Sequence, residues 1–187
     1  NTSDSFGITV NDGGGGETAG TILITLTPKN VAPTISGSPS LIEGQVKAVA
    51  PGIALGDAAD TWSNATVRIT ALDTAGQGTL FFDVDDDGTM EAGEVISAGR
   101  VFTADEASTL STRLKFAHNG SEPNAPGATR PSYTIEVQDS GGGETGASNT
   151  TTSATITIDV VANNDDPTLA NTHATPGTAL AVGERSG

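Results

Sequence analysis

Residues 83–94 are the part of this sequence best suited to chemistry, because their acidic side chains have the spacing of a twelve-residue calcium loop. Such a loop takes oxygen ligands at positions one, three, five, seven, nine and twelve, and needs glycine at position six for a sharp turn. The matching residues are Asp83, Asp85, Asp87, Gly88, Thr89, Glu91 and Glu94, with Thr89 offering its backbone carbonyl. Because Ca²⁺ takes roughly six to eight oxygen ligands, the spacing predicts a calcium site that has no catalytic role.

A solvated acidic turn is the alternative interpretation of this loop, since Asp and Gly are also common in turns. Six of its twelve residues are acidic, and each close pair repels by about 1 kcal/mol even at the dielectric constant of water. A bound cation would remove that repulsion, whereas a plain turn has no need of it. The flanking residues 78–82 and 95–97 are β-prone, so the pattern predicts an EF-hand-like loop in a β-hairpin and a structural metal.

The composition restricts both the core and the partners. The chain has 187 residues, a formal net charge of −15, 4% aromatic residues and no cysteine. We therefore expect a core of small β-branched residues, no nucleic-acid partner and no thiolate chemistry. No apolar run approaches the ~18 residues of a membrane span, so we expect no membrane insertion, and metal ions remain the available cross-link.

An internal repeat divides the sequence. Residues 6–18 reappear as residues 133–145, and each copy continues into an alternating strand and then a linker that ends in Pro-Thr. A period of this size is that of one sandwich domain. We predict the last strands of a preceding repeat at 1–32, a complete repeat at 33–166 and the start of another at 167–187.

Runs of β character at 65–72, 78–82, 113–117, 133–138 and 155–161 predict about seven antiparallel strands, with no long apolar helical pattern. This indicates an all-β, Greek-key β-sandwich of the Ig-like kind. Two strands in residues 1–32 would lack their own domain, so we expect their exposed edges to permit strand exchange between copies.

The order of these segments resembles the cadherin-like tandem repeats of giant secreted bacterial adhesins, many of which carry RTX calcium repeats. Residues 164–168, Asn-Asp-Asp-Pro-Thr, resemble that family's Asn-Asp-Ala-Pro-Thr boundary between repeats. Residues 78–80, 102–105, 114–116 and 133–141 follow the order of its central strands. The resemblance implies a cadherin-like sandwich whose partners are neighbouring repeats of the same chain.

The resemblance also implies calcium ligands at the junctions between repeats. For the second junction these are Asn163, Asn164, Asp165 and Asp166, and for the first they are Asp139, Glu43 and the pair Asp57 and Asp60. Two departures stand out: Val31 replaces the usual linker Asp, and the Asp57/Asp60 pair is one residue too widely spaced. A junction without calcium, stiffened by Pro33, is the alternative between the first two repeats.

Other chemistry-bearing residues give weaker signals. His118 and His173 lack partners at catalytic or metal-ligating spacing. Trp62 could stack on a sugar, but a core anchor is the simpler interpretation. We therefore expect a non-enzymatic, calcium-binding extender repeat of a bacterial surface adhesin, secreted and acting in cell adhesion or biofilm. The alternatives are a calcium-dependent carbohydrate- or protein-binding module and a noncatalytic domain of a secreted hydrolase.

Overall fold

The computed structural model describes residues 2–26, 29–56, 60–123, 129–140 and 150–164. Over these ranges the chain forms thirteen strands and one helix. In chain order they are β1 (Thr2–Asn11), β2 (Glu17–Leu26), β3 (Thr34–Ser36), β4 (Ser40–Ile42), β5 (Val46–Ala48), β6 (Gly52–Ala54), β7 (Thr66–Asp73), β8 (Gly78–Phe82), β9 (Val101–Phe102), α1 (Ala104–Arg113), β10 (Leu114–His118), β11 (Ser132–Gln138), β12 (Thr151–Thr157) and β13 (Asp159–Val161). The predicted all-β class is confirmed.

Two antiparallel sheets cover one apolar core. The larger sheet has the strand order β12-β11-β7-β9 and the smaller has the order β5-β10-β8. The larger sheet buries Val67, Ile69, Phe102, Tyr133, Ile135, Val137 and Ile156, and the smaller buries Leu80, Phe82, Leu114 and Phe116, all in a single cluster. Because both sheets contribute to this cluster, they pack as two layers around it.

Alternating residues explain why the main strands form. In β7 the side chains of Val67 and Ile69 are buried while those of Arg68 and Thr70 are exposed, and β11 alternates in the same way along its whole length. This period of two places one face of each strand on the core. The predicted runs at 65–72, 78–82, 113–117 and 133–138 therefore match β7, β8, β10 and β11 to within one residue at either end.

One predicted strand is divided between two sheets. The sequence predicts a continuous antiparallel strand over 155–161, but β12 ends at Thr157 and β13 pairs parallel to β4. Between them, the amide of Ile158 donates to the carbonyl of Pro131. Ile156, Ile158 and Val160 are all buried, so the chain keeps its apolar side chains in the core while it changes its hydrogen-bonding partner.

Helix α1 replaces part of a predicted strand region. The resemblance places residues 102–105 among central strands, yet only Phe102 lies in a strand and Ala104 begins the helix. A capping box holds the first turn: the Thr103 hydroxyl accepts from the Glu106 amide, and the Glu106 carboxylate accepts from the Thr103 amide at 2.8 Å. Only Ala107 and Leu110 of the helix are buried, which is why no apolar helical pattern is visible in the sequence.

Candidate metal centre

Antiparallel pairing on both sides holds the ends of the acidic loop 83–94 together. Asp83 follows β8 directly, and beyond the loop Val95 forms a β-bridge with Phe81. The amide of Phe82 donates to the carbonyl of Glu94 at 2.9 Å, and the amide of Ile96 donates to the carbonyl of Leu80 at 3.0 Å. The first and last acidic residues of the loop are therefore brought side by side by the backbone.

Backbone amides inside the loop turn its carboxylates inward. Gly88 has a φ of +82°, a conformation that glycine adopts without steric cost, and its amide donates to Asp83 Oδ2 at 2.9 Å. The amide of Thr89 donates to Asp87 Oδ1 at 2.7 Å. The carboxylate of Glu94 accepts from the amides of Val84 and Glu91, so both ends of the loop fold over the same space.

The result is two groups of three carboxylates that share Asp85. Within each group the oxygen atoms lie within 4.8 Å of one another. One group is Asp83, Asp85 and Asp87, and the other is Asp85, Glu91 and Glu94. The structure thus brings together all five acidic residues that the spacing singles out, while exposed Thr89 lies between them along the loop. Hard oxygen donors in this number match what Ca²⁺ prefers.

Asp83 has a buried carboxylate oxygen that a cation could satisfy. Its side chain is completely buried, and its Oδ1 atom has no hydrogen-bond partner in the described part of the chain. A buried polar atom without a partner costs about 1–3 kcal/mol, and more when the group is charged. A bound cation would satisfy this oxygen, whereas a solvated turn would leave it in water.

Lys115 is a charged neighbour that the sequence analysis missed. Its ammonium group, on β10, binds Asp83 Oδ2 and lies 3.7 Å from Asp86 Oδ1. Burial alone would raise the pKa of Asp83, but the hydrogen bonds from Lys115 and from the Gly88 amide outweigh it and hold that pKa below its ordinary value. Lys115 therefore offsets part of the negative charge of the loop.

The two glutamates of the loop titrate against each other. The pKa of Glu91 is raised to about 7, first because its side chain hydrogen-bonds to Glu94, and then because reduced solvation and the nearby carboxylates oppose its ionisation. Burial opposes the ionisation of Glu94 too, yet the amides of Val84 and Glu91 outweigh it and lower the pKa of Glu94. A proton thus resides on Glu91 for part of the time at neutral pH, and a divalent cation would displace it.

The structure places Asp139 beside the first linker, and the calcium-ligand role that the resemblance implies for it stays a prediction. Its buried carboxylate accepts from the Thr150 amide at 2.8 Å, from the Thr150 hydroxyl and from Asn30 Nδ2 at 3.1 Å. Asn30 Oδ1 is buried and lacks a hydrogen-bond partner in the described ranges. Asp139 is not a member of either carboxylate group described above.

Gly56, which precedes the predicted Asp57/Asp60 pair in sequence, lies close to the same linker. It has a φ of +113°, and a Cβ there would lie 2.0 Å from the carbonyl oxygen of Val31. Asp60 is buried but belongs to neither carboxylate group. Asp57 lies outside the described residues, as do Asp165 and Asp166 of the second linker.

Glu43 lies at the second linker and not at the first, which corrects the position that the resemblance implies. Its carboxylate accepts from the Asn163 amide at 3.2 Å, and its own amide donates to the carbonyl of Val161 at 2.9 Å. The parallel pairing of β4 with β13 causes this, because it carries the residue after β4 to the end of β13.

The remaining residues singled out from the sequence have structural roles or lie outside the described ranges. Trp62 is half-buried and packs against the core, as the core-anchor interpretation predicts. His118 is buried, and its Nδ1 accepts from the amides of Gly44 and Gly120 at 3.1 Å each. Burial lowers its pKa. His173 falls outside the described residues.

Comparison with known proteins adds no relative: no family model, no curated protein and no solved structure matches this chain. Among the described residues, no helix has the length and apolar character that crossing a membrane requires. The chemistry of the site therefore has to be inferred from its own residues.

Proposed function

We propose that this chain is a calcium-binding structural repeat of a tandem array, of the cadherin-like type found in secreted bacterial surface adhesins, and that it has no catalytic role. The observation that supports this most directly is the pair of carboxylate groups joined through Asp85. Among them is the buried Asp83 Oδ1, which has no hydrogen-bond partner within the described ranges. Calcium is the ion that this oxygen donor set fits.

The residues that would hold calcium are Asp83, Asp85, Asp87, Glu91 and Glu94, together with the backbone carbonyl of Thr89. When bound, the ion supplies positive charge that neutralises the repulsion among these carboxylates. The chain's own residues do the positioning: the Gly88 amide fixes Asp83, and the amides of Val84 and Glu91 fix Glu94.

Calcium at this loop would stiffen the repeat itself, because the loop contacts several elements of the smaller sheet. The amide of Asp83 donates to the carbonyl of Arg113 at 2.9 Å, and the Arg113 guanidinium donates to the carbonyl of Val84. Lys115 joins β10 to the same place. A cation there would tie β8, the end of α1 and β10 to the segment that follows the loop.

The array follows from the internal repeat. We propose that residues 1–32 close a preceding repeat, that residues 33–166 are a complete Greek-key, cadherin-like sandwich, and that residues 167–187 begin another. Asp139 with Asn30, and Glu43 with Asn163, then stand at the two junctions between successive repeats. An array of this kind would hold a distal binding domain away from the cell, in surroundings where calcium is millimolar.

Thermal unfolding in calcium and in chelator tests the calcium part of the proposal. We expect a higher melting temperature in millimolar calcium than in EGTA, because an ion that binds only the folded state stabilises it by mass action. Calorimetric titration should show heat of binding for Ca²⁺ and a much weaker response to Mg²⁺. An unchanged melting temperature together with no heat of binding would contradict the proposal.

A glycan array separates this proposal from a calcium-dependent carbohydrate-binding module. An extender repeat should give no hits, and its solution scattering should indicate an elongated particle. Hits that Trp62→Ala abolishes would favour the carbohydrate-binding alternative. The packing of Trp62 against the core lends that alternative no support, because it leaves only part of the indole available to a sugar.

A further inference from the structure

The hairpin of β1 and β2 presents an uncovered apolar face. The side chains of Phe6, Ile8 and Val10 on β1 and of Ile22, Ile24 and Leu26 on β2 share this face, since Phe6 pairs with Ile22 and side chains alternate along each strand. Each of these six residues is between 39% and 63% exposed. Asp4, opposite Ile24, is the one charged residue on the same face. The opposite face is mainly Ser, Thr and Asn, with Leu23 as its one large apolar residue.

The same hairpin occurs a second time in the chain, inside the sandwich. Tyr133 of β11 pairs with Ile156 of β12 as Phe6 pairs with Ile22. Residue numbers in β11 exceed those of their β1 counterparts by 127 (133 − 6), and those in β12 exceed their β2 counterparts by 134 (156 − 22). Subtracting these offsets turns each of the seven residue pairs between β11 and β12 into a pair between β1 and β2. The two hairpins therefore have the same register and the same inward-facing positions.

In the sandwich, every counterpart of the exposed apolar face is buried. These counterparts are Tyr133, Ile135, Val137, Ile156, Ile158 and Val160, each at most 8% exposed. Two kinds of partner cover them. β7 pairs with the edge of β11 that faces away from β12, and the core residues of β8 and β10 join the same apolar cluster. The counterpart of Leu23 is Thr157, which is exposed, so the outward face matches as well.

We infer that β1 and β2 are a closing hairpin for a second sandwich of this repeat type, one that supplies counterparts of β3 to β10 but not of β11 and β12. This inference rests on the tandem-repeat part of the proposed function. A two-stranded hairpin alone is marginally stable in water, and its apolar face needs a partner. The sandwich at 33–164 cannot serve, because its own β11 and β12 already occupy that place.

An extension of the full chain tests the inference. A second copy of residues 33–127 is placed before Asn1. Asn1 then follows Gly127 directly and takes the position that Ala128 has in the second half of the chain. We expect amides of β1 and β2 to exchange with solvent at least about 100-fold more slowly than in the unextended chain, since they would lie within a folded sheet. A second cooperative unfolding transition should accompany this protection.

Matched variants and a matched extension act as controls. Ile8→Ser, on the apolar face, should abolish the added protection, whereas Leu23→Ser, on the outward face, should leave it unchanged. An extension by a second copy of residues 33–164, which contains its own closing hairpin, should leave β1 and β2 as rapidly exchanging as before.

Two results would overturn the inference. One is equally rapid exchange of the hairpin amides with and without the 33–127 extension, while the 33–164 extension folds. The other is a dimer of the unextended chain that already protects these amides and that Ile8→Ser dissociates, because the occupant would then be the hairpin of a second copy. All of these exchange measurements are made at the same millimolar calcium concentration and compare extensions and variants only, so the melting comparison in calcium and chelator remains a separate test of the proposed metal site.

Discussion

Two neighbouring substitutions in the acidic loop distinguish a metal site from an acidic turn. Asp85 belongs to both carboxylate groups. Asp86 belongs to neither: its side chain is half exposed, and its nearest cation is Lys115 Nζ at 3.7 Å. Asp85→Asn and Asp86→Asn each remove one negative charge with little change in size. Asn also tolerates the positive φ of 63° at residue 86, so the second variant is a control for the first.

The expected magnitudes follow from mass action. Calcium at about 100 times its dissociation constant stabilises the folded state by about 2.7 kcal/mol. Loss of a residue that only hydrogen-bonds to a metal ligand weakens metal affinity roughly 10- to 100-fold. Loss of a direct ligand should weaken it at least as much. With affinity about 100-fold weaker, the stabilisation at the same calcium concentration falls to about 0.4 kcal/mol. At about 3–5 °C per kcal/mol, calcium should raise the melting temperature by roughly 10 °C in the unaltered chain and by about 1–2 °C in Asp85→Asn.

In chelator the order of the variants should differ. Two unit charges at the 4.8 Å limit of the carboxylate groups repel by about 3.5 kcal/mol at an effective dielectric constant of 20. Because Asp85→Asn relieves such repulsion in both groups, this variant should melt no lower than the unaltered chain when calcium is absent. A loss of stability in chelator would show that Asp85 has a purely structural role.

Differential scanning calorimetry in calcium, magnesium and EGTA measures all of these quantities. Asp86→Asn should keep most of the calcium-dependent shift, because its exposed ion pair contributes only about 0–1 kcal/mol. Equal calcium-dependent shifts in the two variants, whether both retained or both lost, would refute the assignment of Asp85 as a shared ligand.

Three further predictions concern single groups. In the folded chain the pKa of Glu91 is about 7, above the ordinary value of 4.5. Without calcium, the stability that protonated Glu91 contributes is therefore fully present below pH 4.5 and is lost as pH rises through about 7. Calcium binding at pH 7 should therefore release about half a proton, measurable by calorimetry in buffers of different ionisation enthalpy and absent in Glu91→Gln. Lys115→Met leaves buried Asp83 without its ion-pair partner, so the chelated protein should lose about 3–5 kcal/mol and show a larger calcium-dependent melting shift; a smaller shift would contradict this. Tyr133→Phe removes the buried hydrogen bond from the Tyr133 hydroxyl to the Val49 carbonyl, 2.6 Å long, and should cost about 1–3 kcal/mol in urea unfolding, whereas an unchanged midpoint would show that the bond contributes nothing.

Features that depend on local sequence could be predicted. β7, β10 and β11 follow from alternating apolar residues, β8 follows from a short apolar run, and the acidic loop follows from the spacing of its carboxylates. Helix α1 could not be found by periodicity because only two of its residues are buried. The pattern Thr103-x-x-Glu106 was nevertheless a local signal of its first turn, since it is the sequence signature of a capping box.

Features that depend on long-range pairing could not be predicted. Lys115 reaches Asp83 because β10 lies beside β8 with Leu114 opposite Phe82, and a sequence does not state the register of two strands that are 32 residues apart. Glu43 reaches Asn163 only because β4 and β13 pair in parallel, across 120 residues. A parallel pair forms between distant strands without a connecting hairpin, so no turn signal announces it.

That parallel pair has a mechanical consequence. Force applied through the two linkers reaches β4 through β3, which pairs with β6. Once β3 has separated, the force pulls β4 backward by its start and β13 forward by its end. The rungs between residues 40–42 and 159–161, and the bonds from Asp159 to Pro39 and from Glu43 to Val161, would then be loaded in shear and would have to break together. An antiparallel pair gripped at one end would instead unzip rung by rung at lower force. Force spectroscopy through the two linkers should record one abrupt rupture, and a gradual yield at low load would contradict this geometry.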